Sequence, residues 1–166
     1  MSSIAIFGAG GRAGRAVSAE AGRRGHLVTA VVRDPDRYPD LAGAVAGDVT
    51  DPHAVASIVC GHDAVVHAVS PASGPEALAA LDLDPEFFGR AADALLHGLA
   101  RTGVPRLVVI GLFANLTDAN GGLLLDDPAV LPRELRPFAV AHTAGLDRLR
   151  AARTTVDWLV LTRPPC

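Results

Sequence analysis

Six short apolar runs, each stopped by a glycine, a proline or a charged residue, divide the chain. Ile4-Ala5-Ile6-Phe7 stops at Gly8, and Leu27-Val28-Thr29-Ala30-Val31-Val32 stops at Arg33-Asp34-Pro35. Ala44-Val45-Ala46 is shorter and ends at Gly47-Asp48. Asp63-Ala64-Val65-Val66-His67-Ala68-Val69, Pro105-Arg106-Leu107-Val108-Val109-Ile110-Gly111 and Val156-Asp157-Trp158-Leu159-Val160-Leu161 follow in order. The run over 27–32 is almost continuously apolar and rich in β-branched residues. That pattern predicts a strand buried on both faces of a parallel sheet, because a strand with one wet face would alternate.

Helical stretches separate these runs. The first covers about Arg12 to Arg24 and closes at Gly25. The second starts with Thr50 or Asp51 as cap and Pro52 in its first turn, runs to about Val59 and ends at Gly61. The third runs from Asp84-Pro85 to Thr102, with Asp84 as cap and Gly103 as stop, and the last from about Pro137 to Ala152. Pro71-Ala72-Ser73-Gly74-Pro75 reads as a loop, and so does the glycine- and proline-marked stretch 112–133. A loop of that second length in a compact domain is usually functional or mobile. Strands alternating with helices predict an α/β fold: a Rossmann-like, doubly wound parallel sheet with helices on both faces. With 166 residues the chain reads as one domain over 1–166.

Composition narrows the partners. With 49% apolar and 20% charged residues the chain reads as globular, and a formal charge of −3 gives no reason to expect nucleic acid. No apolar run approaches the roughly 18 residues of a membrane span, and Cys60 and Cys166 show no framework spacing, so a cytoplasmic location is expected. The histidines at 26, 53, 62, 67, 97 and 142 lack the paired spacing of a zinc site, and no metal is expected. All 15 basic residues are arginine.

The chemistry concentrates where the first run stops. Four glycines fall within seven positions in Gly8-Ala9-Gly10-Gly11-Arg12-Ala13-Gly14, followed by an alanine-rich helical stretch. Strand, tight turn and helix start is the order that a nucleotide pyrophosphate needs. Glycine lets the backbone approach phosphate, and the free amides at the helix start face its charge. Gly8-x-Gly10-x-x-Ala13 fits the dinucleotide fingerprint with alanine last, and Gly8-x-x-Gly11-x-x-Gly14 fits its short-chain-dehydrogenase variant.

In such a sheet the ligand lies beyond the carboxyl ends of the strands, and further candidates stand there. Arg33 falls 19 positions after Gly14, where an acidic residue would select NAD. A guanidinium there suits the 2′-phosphate of NADP, while the adjacent Asp34 leaves NAD open. Asp48, with Val49 beside it, reads either as an acceptor for the adenine amino group or as a turn residue. Ala68, Val69 and Ser70 fall near the expected nicotinamide ribose, although a serine before a proline is more often a turn former. His142, with an ordinary pKa near 6.5, suits proton donation to a reduced acceptor or is a half-exposed helix histidine. Phe138 reads as packing and His67 as a satisfied core residue; Arg12 and Arg15 read either as phosphate contacts or as a solvated face.

Taken together, 6–14, 31–35, 47–51, 62–70, 106–111 and 156–165 resemble the NmrA-like, atypical short-chain dehydrogenases, and more narrowly their flavin-reductase (biliverdin-IXβ reductase-like) branch. The resemblance implies NAD(P)H bound by Gly8, Gly11, Gly14 and Arg33, with hydride passed to a small-molecule acceptor such as a flavin, a quinone or a tetrapyrrole. His142 matches a helix histidine of that branch. NADP is the expected cofactor, with NAD as the second choice, and a homo-oligomer is left open. The usual Tyr-x-x-x-Lys pair is missing: Phe138-Ala139-Val140-Ala141-His142 stands in its place, and the chain has no lysine. Members of that family usually continue beyond the Arg163-Pro164-Pro165 segment into a substrate lobe, so the acceptor pocket is expected to be incomplete, supplied by a partner or absent. A non-catalytic NAD(P)-binding sensor of NmrA type is therefore the rival expectation.

Overall fold

A computed structural model describes residues 1–72, 75–80 and 82–163. The sequence runs β1 (Ser3–Phe7), α1 (Arg12–Arg23), β2 (Leu27–Val32), β3 (Val45–Ala46), α2 (Pro52–Val59) and β4 (Ala64–His67). It continues through α3 (Pro75–Ala79), α4 (Phe87–Thr102), β5 (Arg106–Ile110), α5 (Arg136–Ala151) and β6 (Asp157–Leu161). The strands form one parallel sheet in the order β3-β2-β1-β4-β5-β6. The order reverses between β1 and β4, and the first glycine turn and the end of β4 meet there.

Alternation along each strand assigns the two faces. Ala5, Phe7, Val31, Val65, Leu107 and Val109 point to one side and pack under Val55 and Val59 of α2, Leu95 and Leu99 of α4, and Leu149 of α5. Two glycines let these helices close up. A Cβ at Gly98 of α4 would meet Val55 Cβ at 3.1 Å, and one at Gly145 of α5 would meet Phe88 Cβ at 2.8 Å. The other face carries Ile4, Ile6, Val28, Ala30, Val32 and Val66 under Val17 of α1 and the loop residues Tyr38, Leu41 and Ala44. The parallel sheet with helices on both faces is thus the fold expected from the sequence, with the layers unequally thick.

Local signals explain most boundaries. Asp51 caps α2 by accepting from the amides of His53 and Ala54 at 2.8 and 3.3 Å, and Gly103 ends α4 in the left-handed region at φ +73°. The helix expected from Asp84 begins later, at Phe87. Asp84 still serves this end, accepting from the Glu86 amide at 3.0 Å and pairing with Arg90. The stretch 112–133 holds 3₁₀ turns at Phe113–Asn115 and Leu124–Asp126. Ala114, Leu125 and Leu131 from this stretch pack against Ala139 of α5. Ser73 and Gly74 of the expected loop over 71–75 lie outside the described residues, as do Pro164, Pro165 and Cys166.

Candidate functional site

The chain leaves β1 through Gly8, whose φ of +83° lies in the left-handed region that disfavours side chains. A Cβ there would stand 2.6 Å from the Ala68 carbonyl group and 2.7 Å from the Val69 amide nitrogen. Gly8 is therefore what allows the turn to lie directly on the end of β4, where the Ala68 amide donates to the Phe7 carbonyl at 2.9 Å. Gly14 performs the second close approach. A side chain on it would collide with the Gly8 carbonyl and lie 2.7 Å from Ala9 Cα, so α1 sits hard against the turn.

Gly11 caps α1 with no side-chain acceptor, and its own amide donates to the Gly8 carbonyl at 3.0 Å. The first intrahelical bond runs from Arg15 to Gly11. The amides of Arg12, Ala13 and Gly14 hence have no acceptor within the helix, and no acidic residue stands in its first turn. This is the donor set that an anionic diphosphate fits.

Gly10 has a different reason. Tyr38 folds back over it, and a Cβ there would lie 2.5 Å from the tyrosine ring. Arg15 fastens the same loop, donating to the Gly10 carbonyl at 3.0 Å and to both carboxylate oxygens of Asp40. Arg15 is therefore a clasp between the glycine turn and the loop after β2, which removes it from the phosphate candidates. Nothing in the sequence signals this contact, since Tyr38 and Asp40 lie in an irregular segment.

Arg33 ends β2 exposed and, among the described residues, makes no ion pair; the same holds for Arg12. Asp34 accepts from the Asp36 amide at 3.2 Å as the cap of a 3₁₀ turn. Asp48 accepts from both the amide and the hydroxyl of Thr50, at 2.8 and 2.7 Å. These two bonds, helped by the Arg33 and Arg90 charges, hold its carboxyl below the usual aspartate range. One oxygen of Asp48 is thus spent on its own turn. Val49 is buried in the main core, so only its backbone faces the cleft. Ser70 donates to the Ala72 carbonyl at 2.6 Å, the turn-forming role that its sequence context favours. Gly8, Gly10, Gly11, Arg12, Ala13, Gly14, Arg33, Asp48, Val49, Ala68, Val69 and Ser70 all follow the carboxyl ends of β1 to β4, at one end of the strands.

His67 departs from expectation, whereas His142 is a half-exposed residue of α5, one of the two readings that the sequence left open. His67 ends β4 and is 6% exposed, but its Nδ1 has no hydrogen-bond partner among the described residues. It is a core residue left unsatisfied rather than a satisfied one. It lines a narrow cavity of about 20 Å³ together with Phe88, Val109, Val160 and His142. His142 has its ring 4.7 Å from Phe88 and 6.1 Å from Phe138, and its Nδ1 is buried and unpartnered too. Burial pushes the His67 pKa down to about 3, with the His142 charge adding to the effect. Burial likewise pushes His142 down to about 4 against the opposing pull of the Ile110 backbone. Both imidazoles are neutral at pH 7. His142 therefore lacks the ordinary pKa expected of it as a proton donor, because its ring packs against Phe88 of α4 and Phe138 of α5. Phe138 packs, as expected.

One further buried polar group sits nearby. Asn115 donates to Thr143 at 2.6 Å, Thr143 donates to the Ala139 carbonyl at 2.8 Å, and Asn115 Oδ1 has no partner among the described residues. No helix among the described residues is long and apolar enough to cross a membrane, and none of their side chains form a group of three or more potential metal ligands.

Comparison with known proteins agrees with this geometry. The profile of the NAD(P)H-binding family matches residues 8–165, beginning at the first glycine of the turn. The chain belongs to the NAD(P)H-binding family. It is 33% identical to the protein YwnB of Bacillus subtilis (strain 168) over 162 residues, which is 96% of this chain and 70% of that one. Among solved structures, a candidate exported protein from Burkholderia pseudomallei superposes with a TM-score of 0.77 at 34% identity. The match covers 98% of this chain and 72% of that one. A candidate NADH-flavin reductase from Streptococcus pneumoniae TIGR4 gives a TM-score of 0.74 at 29% identity, over 98% and 71% of the two chains. These neighbours agree with the atypical short-chain dehydrogenase assignment, and membership of the family supports a nicotinamide cofactor.

Proposed function

We propose that the protein is an NADP(H)-preferring oxidoreductase that passes hydride to a flat, conjugated small molecule such as a flavin or a quinone. The observation that carries the cofactor choice is the exposed Arg33 guanidinium at the end of β2, without an ion-pair partner among the described residues. With a dinucleotide diphosphate held by the α1 amides, Arg33 would serve the ribose side and supply charge-assisted bonds to a 2′-phosphate. Arg12 adds positive charge at the diphosphate. Ala68, Val69 and Ser70 flank the nicotinamide end through the backbone that follows β4.

When bound, the cofactor supplies the hydride chemistry, and the chain's part is to hold and orient it. The acceptor's flatness follows from what the site lacks. Among the described residues the Tyr-Lys pair is missing from α5 and His142 is neutral, so neither supplies a proton to an isolated carbonyl. Conjugated acceptors take hydride and then protonate from solvent, so positioning alone is a sufficient contribution. The reductase name of the Streptococcus pneumoniae neighbour supports the same reading. NADPH oxidation with FMN and a panel of quinones tests it. Turnover above the protein-free rate is expected, and its absence across the whole panel refutes the reductase reading.

The second reading is a sensor that binds the dinucleotide without turning it over. The neutral His67–His142 pair favours it, because both Nδ1 atoms are buried and uncharged at neutral pH. Calorimetry separates the two: tight binding of oxidised cofactor with no hydride transfer to any acceptor supports the sensor.

A further inference from the structure

Two separate segments carry the groups offered to one cofactor: the glycine turn with the α1 amides, and the end of β2 with Arg33. At the sheet they are joined by the Gly8 and Ala9 amides, which donate to the Val31 carbonyl at 2.9 and 3.2 Å. Beyond the sheet the chain leaves Arg33 into the loop 34–44, whose turns are closed by local bonds. The Tyr38 amide donates to the Pro35 carbonyl at 2.9 Å, the Leu41 amide to the Tyr38 carbonyl at 2.9 Å, and the Ala44 amide to the Leu41 carbonyl at 3.0 Å. These three bonds shape the loop but do not tie it to the glycine turn.

Side chains make that tie. The Tyr38 ring lies over Gly10, where a Cβ would stand 2.5 Å from it, and it packs with Leu41 and Ala44 on the cluster of Ala9 and Val32. Arg15, in the first turn of α1, donates its Nε to the Gly10 carbonyl at 3.0 Å and its two terminal nitrogens to the Asp40 carboxylate. One planar guanidinium thus holds the helix, the turn and the loop together. The Arg15 and Asp40 side chains are 42% and 58% exposed, and an exposed pair adds little to global stability. What the clasp governs is local: where the loop that starts after Arg33 sits against the turn.

We propose, on the reading of Arg33 as the 2′-phosphate contact, that Arg15, Asp40 and Tyr38 are positioning residues for cofactor choice, fixing the spacing between Arg33 and the α1 amides. NADPH would meet both places at once, whereas NADH meets the amides alone. A spacing set before binding lowers the ordering cost of a two-point contact. Loosening it therefore costs NADPH more than NADH.

Two variants loosen the clasp while leaving a positive charge at position 15. Asp40→Asn breaks the ion pair, and Arg15→Lys loses the fork that spans Gly10 and Asp40. Calorimetry with the full chain is expected to show the NADPH-to-NADH affinity ratio falling about three- to tenfold in either variant, with NADH binding held. Direct contact of Arg15 with phosphate predicts the reverse for Asp40→Asn, since losing a carboxylate beside the site would tighten NADPH. In an Arg33→Ala background Asp40→Asn should move the ratio no further, because the clasp acts through Arg33. Hydrogen exchange on the cofactor-free chain reads the clasp without a ligand: the Tyr38, Leu41 and Ala44 amides should exchange faster in Asp40→Asn. A ratio unchanged or raised in Asp40→Asn, a further fall in the Arg33→Ala background, or native exchange at those three amides overturns the positioning role and leaves the Arg33 assignment standing. A native chain without a preference for NADPH overturns both.

Discussion

Gly14 lies so close to Gly8 that a methyl group on it would overlap the Gly8 carbonyl and stand 2.7 Å from Ala9 Cα. Gly8, Gly11 and Gly14 of the turn are therefore not equivalent. Gly14→Ala forces α1 away from the turn, an overpacking that costs about 1–3 kcal/mol. Gly8→Ala costs more, since its φ of +83° adds backbone strain of roughly 1–2 kcal/mol to the collision with Ala68. Gly11 has a negative φ, and a Cβ there meets only the Gly8 carbonyl, at 3.4 Å. Chemical denaturation should rank the losses Gly8→Ala, Gly14→Ala, Gly11→Ala from largest to smallest. A loss for Gly11→Ala as large as for Gly8→Ala contradicts the account.

Gly10 owes its identity to one side chain, the Tyr38 ring that covers it. Gly10→Ala should destabilise the native chain, and the same change in a Tyr38→Ala background should cost clearly less. A double-mutant cycle measures the difference, expected at about 0.5–3 kcal/mol for residues in contact. Additive losses would mean that something other than the tyrosine excludes a side chain there.

The neutral histidine pair makes stability depend on pH in a defined direction. In the unfolded chain both imidazoles titrate near 6.5, whereas the folded values are about 3 and about 4. Between those limits the unfolded state binds more protons, so stability rises with pH. The contribution is complete above about pH 6.5 and is lost as pH falls through 6 and 5 toward 4, by a few kcal/mol in all. Urea midpoints between pH 7 and 4.5 should fall accordingly, and His142→Phe should flatten part of that fall. A midpoint that is level across this window contradicts the burial of the pair.

Much of this architecture was legible because each strand carries its own boundary. The run Leu27–Val32 is one strand with the expected ends, although only Val31 and Val32 are buried and Leu27 is exposed, so burial on both faces holds only at its carboxyl end. Asp51 with Pro52 marked a helix start just as locally. What stayed hidden depends on tertiary approach. The short helix Pro75–Ala79 has too few residues to show a period. Tyr38 was visible only as a tyrosine in an irregular segment, because the fold alone brings it over Gly10. His67 could be read as buried from its strand, but whether an acceptor comes within reach of Nδ1 is decided by α4 and α5. The same closure by Phe88 and Phe138 converts His142 from a titrating group into a neutral one.

The central claim is that the glycine turn and Arg33 together form an NADP-selective site, and calorimetry of NADPH and NADH with the native chain and with Arg33→Ala tests it most directly. The native chain should prefer NADPH. Arg33→Ala should weaken NADPH binding by about 1.5–3 kcal/mol, the scale of a hydrogen bond to a charged group, or roughly ten- to a hundredfold. NADH binding should change little. Equal losses for both cofactors, or a native preference for NADH, would contradict the assignment of Arg33 to the 2′-phosphate.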